Sequence, residues 1–282
     1  EIILSDDCST DRTFEIMQNL ASKYRGTHSV ILNRNQVNLG IGDHINKVMH
    51  LSRGELIVVA AGDDISTSSR AVRLTEKWLK TGMKVDLLCS DYIAINSDGK
   101  EIGEGAGCIE SKMTPDLMAK NGHGVLGATA AWTSRLWNHY GELPKNLVHE
   151  DQVLPYRAAM LGGISYLPEK LVMYRQNTST WIERNATINP KTMRERTIKL
   201  RNNEITTIKT QFDDALKTNN LKHAMLIQNR MRTSLILLSI YLGQINPIKA
   251  MWIAVINQLS WKSILKTLIK ENLPLLHAAI LK

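Results

Sequence analysis

A short apolar run that ends in two carboxylates constrains the fold of this chain more than any other feature. Residues 56–61, Leu-Ile-Val-Val-Ala-Ala, are rich in β-branched side chains and show no alternation of apolar and polar positions. Such a run is typical of a strand buried on both faces of a parallel sheet. Asp63 and Asp64 follow it, at the strand end where open α/β sheets bind ligands. The pair predicts either a divalent-cation site or a solvated turn in which Asp64 caps the next helix.

Predicted strands and helices alternate in the N-terminal part of the chain. The strands are predicted at residues 1–5, 29–32, 56–61 and 85–90, and the helices between them at residues 12–24, 43–51 and 67–81. This alternation predicts an α/β fold with a mostly parallel sheet flanked by helices.

Residues 96–99, Asn-Ser-Asp-Gly, predict a hairpin-type turn, and three glycines within residues 103–107 indicate a surface loop or a lid. A helix is predicted at residues 134–140, with Gly141 as its stop. Beyond residue 190 the pattern is helical throughout, with a break at Asn246-Pro247 and further helices at residues 261–270 and 273–281. We therefore predict two domains, residues 1–189 and 190–282.

The formal charge of +8 belongs to the C-terminal region. Residues 1–189 hold 20 Lys and Arg against 22 Asp and Glu, whereas residues 190–282 hold 15 against 5. A basic, amphipathic helical region is typical of contact with an anionic membrane surface. Packing on the N-terminal domain or on a second copy, as a homo-oligomer, explains the pattern equally well. Aromatic residues do not interleave with the charges, which argues against a nucleic-acid partner.

Cysteine usage and hydropathy indicate a cytoplasmic protein. Cys8, Cys89 and Cys108 show no CxxC spacing, which argues against a structural zinc site and a disulfide framework. No signal peptide is visible, and no run of about 18 apolar residues predicts a spanning helix. We expect a cytoplasmic location, with peripheral contact at the inner face of the cell membrane as the alternative. The chain opens inside a predicted strand without an initial Met, so we expect further residues upstream of Glu1.

Several motifs stand in an order and at spacings that match a known family. They are Asp6-Asp7 after the first strand, Asn38-Leu39-Gly40 with Asn46, the segment Gly54–Asp64, Glu150-Asp151 with Leu154 and Arg157, and Tyr174-Arg175. Over roughly residues 1–180 the chain resembles the family-two inverting glycosyltransferases of the GT-A fold, of the kind that build bacterial surface polysaccharides. The resemblance implies a Rossmann-like GT-A domain. It also implies inverting transfer of a sugar from a nucleotide-diphospho-sugar to a hydroxyl acceptor, in the synthesis of capsule, O-antigen or a similar polymer.

The resemblance implies nucleotide contacts for five residues. Asp6 and Asp7 would contact the base and the ribose of the nucleotide-sugar. Asn38, Gly40 and Asn46 would line the same site. Considered without the resemblance, Asp6 and Asp7 also fit a capped turn before a helix, because Ser, Thr and Asp residues follow them.

The resemblance also implies a metal site, from which this sequence departs in part. Asp63 would hold Mg²⁺ or Mn²⁺ beside the diphosphate, with Asp64 as a further donor-site residue. Ala61 replaces the first acid of the family signature, Ile45 replaces an Arg, and Asn177 stands where a His is often found. These departures motivate an alternative function, a catalytically impaired binding or scaffolding subunit of a polysaccharide-assembly complex.

The remaining residues implied by the resemblance belong to the acceptor side. Asp151 would be the general base that deprotonates a hydroxyl of a saccharide or lipid-linked saccharide, with Glu150 beside it. Arg157 and Arg175 would either face phosphate or brace the site. Considered without the resemblance, Glu150 and Asp151 are acidic residues in the first turn of a helix, where they favour the helix dipole.

Overall fold

The computed structural model describes residues 1–176, 190–257, 259 and 264–265. The chain divides into two compact units, Glu1–Met118 with His123–Ser179, and Ala119–Gly122 with Thr180–Lys282. Of the helix predicted at 261–270, only residues 264–265 are described. Asn177 and the helix predicted at 273–281 lie outside the described residues. The domain boundary predicted at residue 189 falls there too and stays a prediction.

Strands and helices follow one another through the first unit as the sequence predicts. The elements are β1 Ile2–Asp6, α1 Thr13–Lys23, β2 Val30–Arg34, α2 Ile41–Leu51, β3 Leu56–Val58, β4 Ile65–Ser66, α3 Arg70–Lys80, β5 Leu87–Ile95, β6 Glu101–Ala106, α4 Pro115–Asn121, β7 Ala131–Thr133, α5 Ser134–Tyr140, α6 Glu150–Leu161 and β8 Ile164–Arg175. Helix α4 extends from this unit into the second one.

The strands form two sheets in the described part of the chain. Strands β1 and β2 make a parallel pair. The second sheet has the order β3-β7-β5-β8-β4, and β6 pairs with β5. Its β5–β8 pair is parallel, and its other pairs are antiparallel. The predicted α/β class with helices flanking the sheet is confirmed.

Strand β5 is the centre of the core. Leu87, Leu88 and Cys89 are all fully buried, and their side chains alternate between two hydrophobic clusters. Leu87 and Cys89 share a cluster with Trp132, whereas Leu88 packs in the cluster that contains Leu74 of α3. This is the alternation that a strand covered on both faces requires. The 85–90 segment therefore has the environment that the sequence predicted for residues 56–61.

The run at residues 56–61 was predicted incorrectly in two respects. Only Leu56–Val58 form a strand, β3, and its residues are half-buried. Strand β3 is terminal in the order of its sheet and pairs antiparallel with β7, so it lacks the two neighbours of a central parallel strand. Its apolar composition reflects packing on both faces, because Leu56 and Val58 pack against one hydrophobic cluster and Ile57 packs against the other. Periodicity alone does not distinguish such an edge strand from a central one.

Residues 103–107, predicted as a loop, belong largely to β6. The turn after β5 closes as predicted, because Gly99 N–H donates to the Asn96 carbonyl at 3.1 Å. The hairpin continues beyond it, and Gly105 lies opposite Tyr92. A Cβ on Gly105 would come within 2.5 Å of the Tyr92 hydroxyl oxygen. The glycine therefore makes room for a tyrosine side chain across the strand pair, and does not mark a flexible loop.

The described part of the second unit is helical. It contains α7 Pro190–Lys217, α8 Leu221–Tyr241 and α9 Pro247–Ile256. The side chain of Asn220 accepts the His223 N–H at the start of α8, and that of Asn246 accepts the Lys249 N–H at the start of α9. The predicted break at Asn246-Pro247 is confirmed, because both residues form the start of a new helix. None of the described helices combines the length and the apolar character needed to span a bilayer.

Candidate functional site

The residue after β1 organises the loop that follows β2. The Asp7 carboxylate accepts N–H groups from Leu39 at 2.8 Å and Gly40 at 2.9 Å, and the side-chain amide of Asn35 at 2.8 Å. The Asn38 side-chain amide donates to the Asp7 carbonyl at 3.1 Å. Three of the predicted nucleotide residues, Asp7, Asn38 and Gly40, are thus brought together at the carboxyl ends of two parallel strands, β1 and β2. Ligands of open α/β sheets bind at such ends.

The other two predicted nucleotide residues, Asp6 and Asn46, are buried and bonded to protein groups. The Asp6 carboxylate accepts the Ser9 N–H at 3.1 Å and lies 3.4 Å from Nε of Arg34. The Asn46 side chain donates to the Leu143 carbonyl and accepts the Leu143 N–H, each at 2.9 Å. These bonds tie α2 to the segment before α6. Both side chains shape the site's surroundings through these bonds, and their predicted nucleotide contacts stay predictions.

Arg175, the last residue of β8, braces the Asp63-Asp64 turn. Its backbone N–H donates to Oδ1 of Asp64 at 2.7 Å, and its guanidinium donates to the Asp63 carbonyl at 2.8 Å. The same guanidinium donates to the carbonyls of Asn96 and Ser97 at 2.8 Å each. One side chain therefore holds the acidic turn against the end of the β5–β6 hairpin.

The two carboxylates of this turn have different environments. Asp63 is exposed, whereas Oδ2 of Asp64 is buried without a hydrogen-bond partner among the described residues. Burial raises the pKa of the Asp64 carboxyl, the Arg175 N–H lowers it, and the charge of Asp63 raises it again. A buried acceptor without a partner costs free energy, so the turn favours a ligand that supplies positive charge or a hydrogen.

The acidic turn fits a divalent cation that shares its ligands with a substrate. Mg²⁺ commonly uses one or two protein carboxylates together with water and substrate phosphates, and does not need a full protein cage. Asp63 offers an exposed carboxylate and Asp64 offers the unpartnered Oδ2. Among the described residues, no group of three or more His, Cys, Asp or Glu side chains stands ready to hold a metal by itself. A cation here would therefore depend on the diphosphate for the rest of its shell.

A cavity of about 110 Å³ lies at the start of α6. Glu150 and Asp151 line it together with Ala61, Ala128 and Trp132. Ala61 stands two residues before Asp63, so the cavity extends from the carboxylates of α6 to the chain segment that carries the acidic turn. By liquid volume it holds about four water molecules, which suits one hydroxyl-bearing group better than a nucleotide.

Burial dominates the electrostatics of the two α6 carboxylates. Burial, together with the smaller effect of the Asp151 charge, raises the pKa of Glu150 to about 8. It also raises the pKa of Asp151, which the nearby His149 partly lowers. Oδ1 of Asp151 is buried without a hydrogen-bond partner in the described structure. A carboxylate with a raised pKa and an unpartnered oxygen in a cavity is suited to accept a proton from a bound hydroxyl.

Two glycines let the chain pass close to these carboxylates. A Cβ on Gly124 would come within 2.2 Å of the Asp151 carbonyl oxygen, and one on Gly127 within 3.2 Å of Oε1 of Glu150. Val125 N–H donates to the same Asp151 carbonyl at 3.0 Å. The segment 124–127 thus fixes the position at which α6 begins.

Arg157 and Tyr174 have contacts that the sequence alone did not specify. Arg157 is buried, donates to the Gly141 carbonyl at 3.1 Å, and lies 5.2 Å from the ring centroid of Tyr140, so these contacts brace the end of α5. Tyr174, given no role from the sequence, packs edge-to-face on Tyr92 with ring centroids 5.4 Å apart. Burial and the charges of several carboxylates, Asp151 among them, raise the pKa of Tyr174. Only its place beside Arg175 in the motif pointed to it.

We expect Glu150→Gln to change how the free energy of unfolding depends on pH. The folded protein keeps the Glu150 proton up to about pH 8, whereas the unfolded chain releases it near 4.5. Between these values the folded state binds the extra proton, so stability falls as pH rises, by up to about 1.4 kcal/mol per pH unit. Glutamine removes this loss, so the variant should be the more stable protein at the upper end of the window.

Urea denaturation across this pH window measures the effect. Glu55→Gln is the matched control, because it removes an exposed carboxylate and should keep the wild-type slope. Equal slopes for wild type and Glu150→Gln would contradict the assignment of a raised pKa to Glu150.

The sequence of the N-terminal part matches a known family. Residues 1–134 match the family described as Glycosyl transferase family 2. Three curated relatives, one from Mycobacterium bovis and two from Mycobacterium tuberculosis, are uncharacterised proteins that are 27% identical over 179 residues. The match covers 63% of this chain and 50% of each relative. The chain therefore spans about half the length of the curated relatives it matches.

Two solved structures share the fold. One is S. aureus TarS 1-349 in complex with UDP-GlcNAc, with a TM-score of 0.51 and 16% identity, over 86% of this chain and 72% of that one. The other is the mannosyltransferase PcManGT of Pyrobaculum calidifontis in complex with GDP-Man and Mn²⁺, with a TM-score of 0.50 and 16% identity, over 97% and 71%. At this identity the likeness speaks for the fold, and the GT-A fold expected from the sequence is confirmed.

Proposed function

We propose that the protein, whose residues 1–134 match glycosyl transferase family 2, transfers a sugar from a nucleotide-diphospho-sugar to a hydroxyl group. The observation that carries the proposal is the buried Asp151 carboxylate in a cavity that reaches the chain segment of the Asp63-Asp64 turn. A base that lines the cavity suits an attacking hydroxyl, and an acidic turn two residues beyond Ala61 of the cavity wall suits a departing diphosphate.

The proposed reaction is a single displacement at the anomeric carbon. Asp151 takes the proton of the acceptor hydroxyl while the oxygen of that hydroxyl forms the new bond to the anomeric carbon. The bond to the nucleoside diphosphate breaks with its electron pair, and the carbon inverts. The raised pKa of Asp151 strengthens it as a base, and Glu150, protonated below about pH 8, adds no second negative charge at neutral pH.

The leaving diphosphate gathers negative charge, which the acidic turn does not stabilise by itself. Asp63 and Asp64 would hold Mg²⁺ or Mn²⁺, and such an ion, when bound, neutralises the charge that develops on the diphosphate. The Arg175 contacts keep the turn in place for this role. The metal of PcManGT, whose structure contains GDP-Man and Mn²⁺, is consistent with this assignment.

We place the nucleoside at the Asp7 loop. Asp7, Asn38 and Gly40 form one hydrogen-bonded surface at the strand ends. Asp6 is the last residue of the strand before this surface, and Asn46 bonds the helix after it to Leu143. Solved structures of the same fold contain UDP-GlcNAc or GDP-Man. For the acceptor we propose a saccharide or lipid-linked saccharide in the synthesis of a bacterial surface polysaccharide, on the resemblance described above.

A panel of donors tests the proposal. Melting temperature is measured with UDP-, GDP-, dTDP- and CMP-linked sugars, each with Mn²⁺ and with EDTA, because a ligand of the native state stabilises it by mass action. We expect stabilisation by one nucleotide class, lost in EDTA, and slow release of that nucleoside diphosphate by hydrolysis. Donor binding without any hydrolysis or transfer would instead favour the scaffolding function that Ala61, Ile45 and Asn177 motivate. No response to any donor would overturn the proposal.

We also propose that the second unit meets the inner membrane surface through α9. Ile248, Trp252, Val255 and Ile256 recur along this helix and are 53% to 73% exposed. An exposed apolar helix face with a Trp, in a region holding 15 basic against 5 acidic residues, suits an interfacial helix on anionic lipid.

Vesicle flotation tests the membrane contact. Wild type should float with phosphatidylglycerol vesicles and not with phosphatidylcholine, and Trp252→Ser with Ile256→Ser should lower the bound fraction several-fold. Leu221→Ser, which removes an exposed apolar side chain of α8, should leave it unchanged. If wild type binds no vesicles and forms a dimer that the α9 substitutions dissociate, the exposed apolar face of α9 is a contact between two copies of the chain instead.

A further inference from the structure

Arg70, the first residue of α3, is a buried cation that no part of the proposed chemistry uses. Only 2% of its surface is exposed. Its guanidinium donates to Oγ of Ser66 at 2.9 Å and to the carbonyl oxygens of Ala128 at 2.8 Å and Ala130 at 3.3 Å. Burying a guanidinium is costly, so the three acceptors that it joins indicate what the residue maintains.

The segments that Arg70 joins both border the candidate site. Ser66 belongs to β4, which directly follows the Asp63-Asp64 turn. Ala128 and Ala130 line the cavity that also contains Asp151. A single side chain therefore connects the strand that follows the acidic turn to a segment that lines the cavity of the proposed base.

The charge of Arg70 also faces the acidic turn. Asp64 attracts it electrostatically, and burial lowers the pKa of Arg70 to about 10, so the guanidinium remains charged at neutral pH. Nε of Arg70 and Oδ2 of Asp64 are both buried without hydrogen-bond partners in the described residues. The cation therefore contributes a long-range attraction to Asp64 in addition to its three hydrogen bonds.

We propose that Arg70 is a positioning residue that sets the spacing between the donor diphosphate at the Asp63-Asp64 turn and the attacking hydroxyl at Asp151. This inference rests on the proposed glycosyl transfer. Only a planar guanidinium offers several donors in a fixed fork, so lysine keeps the charge but does not span Ser66, Ala128 and Ala130 together. A displacement of about 1 Å between reacting groups costs on the order of 10²-fold in rate.

The test compares Arg70 with Arg73, which lies one turn further along α3 and pairs with Glu76 and Glu169. The probe is hydrolysis of the donor identified by the thermal-shift panel, with water as the acceptor. We expect Arg70→Lys and Arg70→Gln to lower kcat by about 10- to 100-fold while the donor Kd, measured by calorimetry, changes less than about threefold. Arg73→Lys should leave both constants near wild type.

Several outcomes would overturn the inference. If Arg70 were purely structural, its variants would bind the donor more weakly, melt at a lower temperature and have a lower kcat, all together. A wild-type kcat in Arg70→Lys would exclude a positioning role for Arg70. Should both Arg70 variants fail to fold, Ser66→Ala decides, because Ser66 is exposed and its loss removes one of the three bonds. An unchanged kcat in Ser66→Ala would then overturn the proposal. A wild-type protein that binds no donor at all would refute the proposed function, and is therefore distinguishable from these results.

Discussion

Asp151→Asn should lower turnover by about 10²- to 10⁴-fold while donor affinity stays near that of wild type, because the amide keeps the shape of the side chain but accepts no proton. Asp151 lines the cavity, and its Oδ1 has no hydrogen-bond partner among the described residues. The folded protein should be no less stable, since a neutral amide is easier to bury than a carboxylate.

The pH dependence of the rate provides a second readout of the same change. A general base works in its ionised form, so wild-type kcat should rise with pH through the raised pKa of Asp151. In Asp151→Asn this rise should disappear. Glu55→Gln, at an exposed position, is the control and should keep both the rate and the pH profile. Full turnover in Asp151→Asn would remove Asp151 from the mechanism and, with it, the main support for the proposed reaction.

Asp63→Asn should abolish the Mn²⁺-dependent part of donor binding. Stabilisation of phosphate charge by a metal contributes several kcal/mol, which corresponds to at least about 10²-fold in donor affinity. Because Asp63 is exposed, the protein without ligands should melt near the wild-type temperature. The measurement is the donor-induced shift of melting temperature with Mn²⁺ and with EDTA.

Asp98→Asn is the matched control for this substitution. Asp98 is also an exposed carboxylate in a tight turn, at the β5–β6 hairpin, and its loss should leave the metal-dependent shift intact. If the donor instead raises the melting temperature of wild type and Asp63→Asn equally, with or without EDTA, the result would support a donor site that uses no metal. Such a result would fit the replacement of the first signature acid by Ala61.

The sequence predicted the parts of the fold that short-range patterns determine. Helix α5 begins at Ser134 and ends at Tyr140, where Thr133 caps its first turn and Gly141 terminates it. The short motifs after the first and second strands also pointed to one site, and Asp7, Asn38 and Gly40 do lie together. Local rules of this kind depend on a few neighbouring residues, which a single sequence displays.

The misassigned elements depend on contacts between distant residues. Residues 56–61 have the composition of a central strand, but their environment is decided by β7, more than 70 positions later. Arg70 reads as an ordinary helix residue, and its role is visible only when Ala128 and Ala130 approach it. Arg157, for which the resemblance implied either a phosphate contact or a bracing role, bonds to the end of α5, and its phosphate contact stays a prediction. Such pairings carry no signal in local periodicity.

The hydrogen bonds around Asp7 have a consequence for the thermodynamics of ligand binding. The loop from Asn35 to Gly40 is held by three N–H groups on one carboxylate, so it is ordered before any donor arrives. Its conformational entropy is lost when the chain folds and not when a nucleotide binds. A donor that docks there meets a preorganised surface, and its association should show little of the unfavourable entropy that accompanies the closing of a mobile loop.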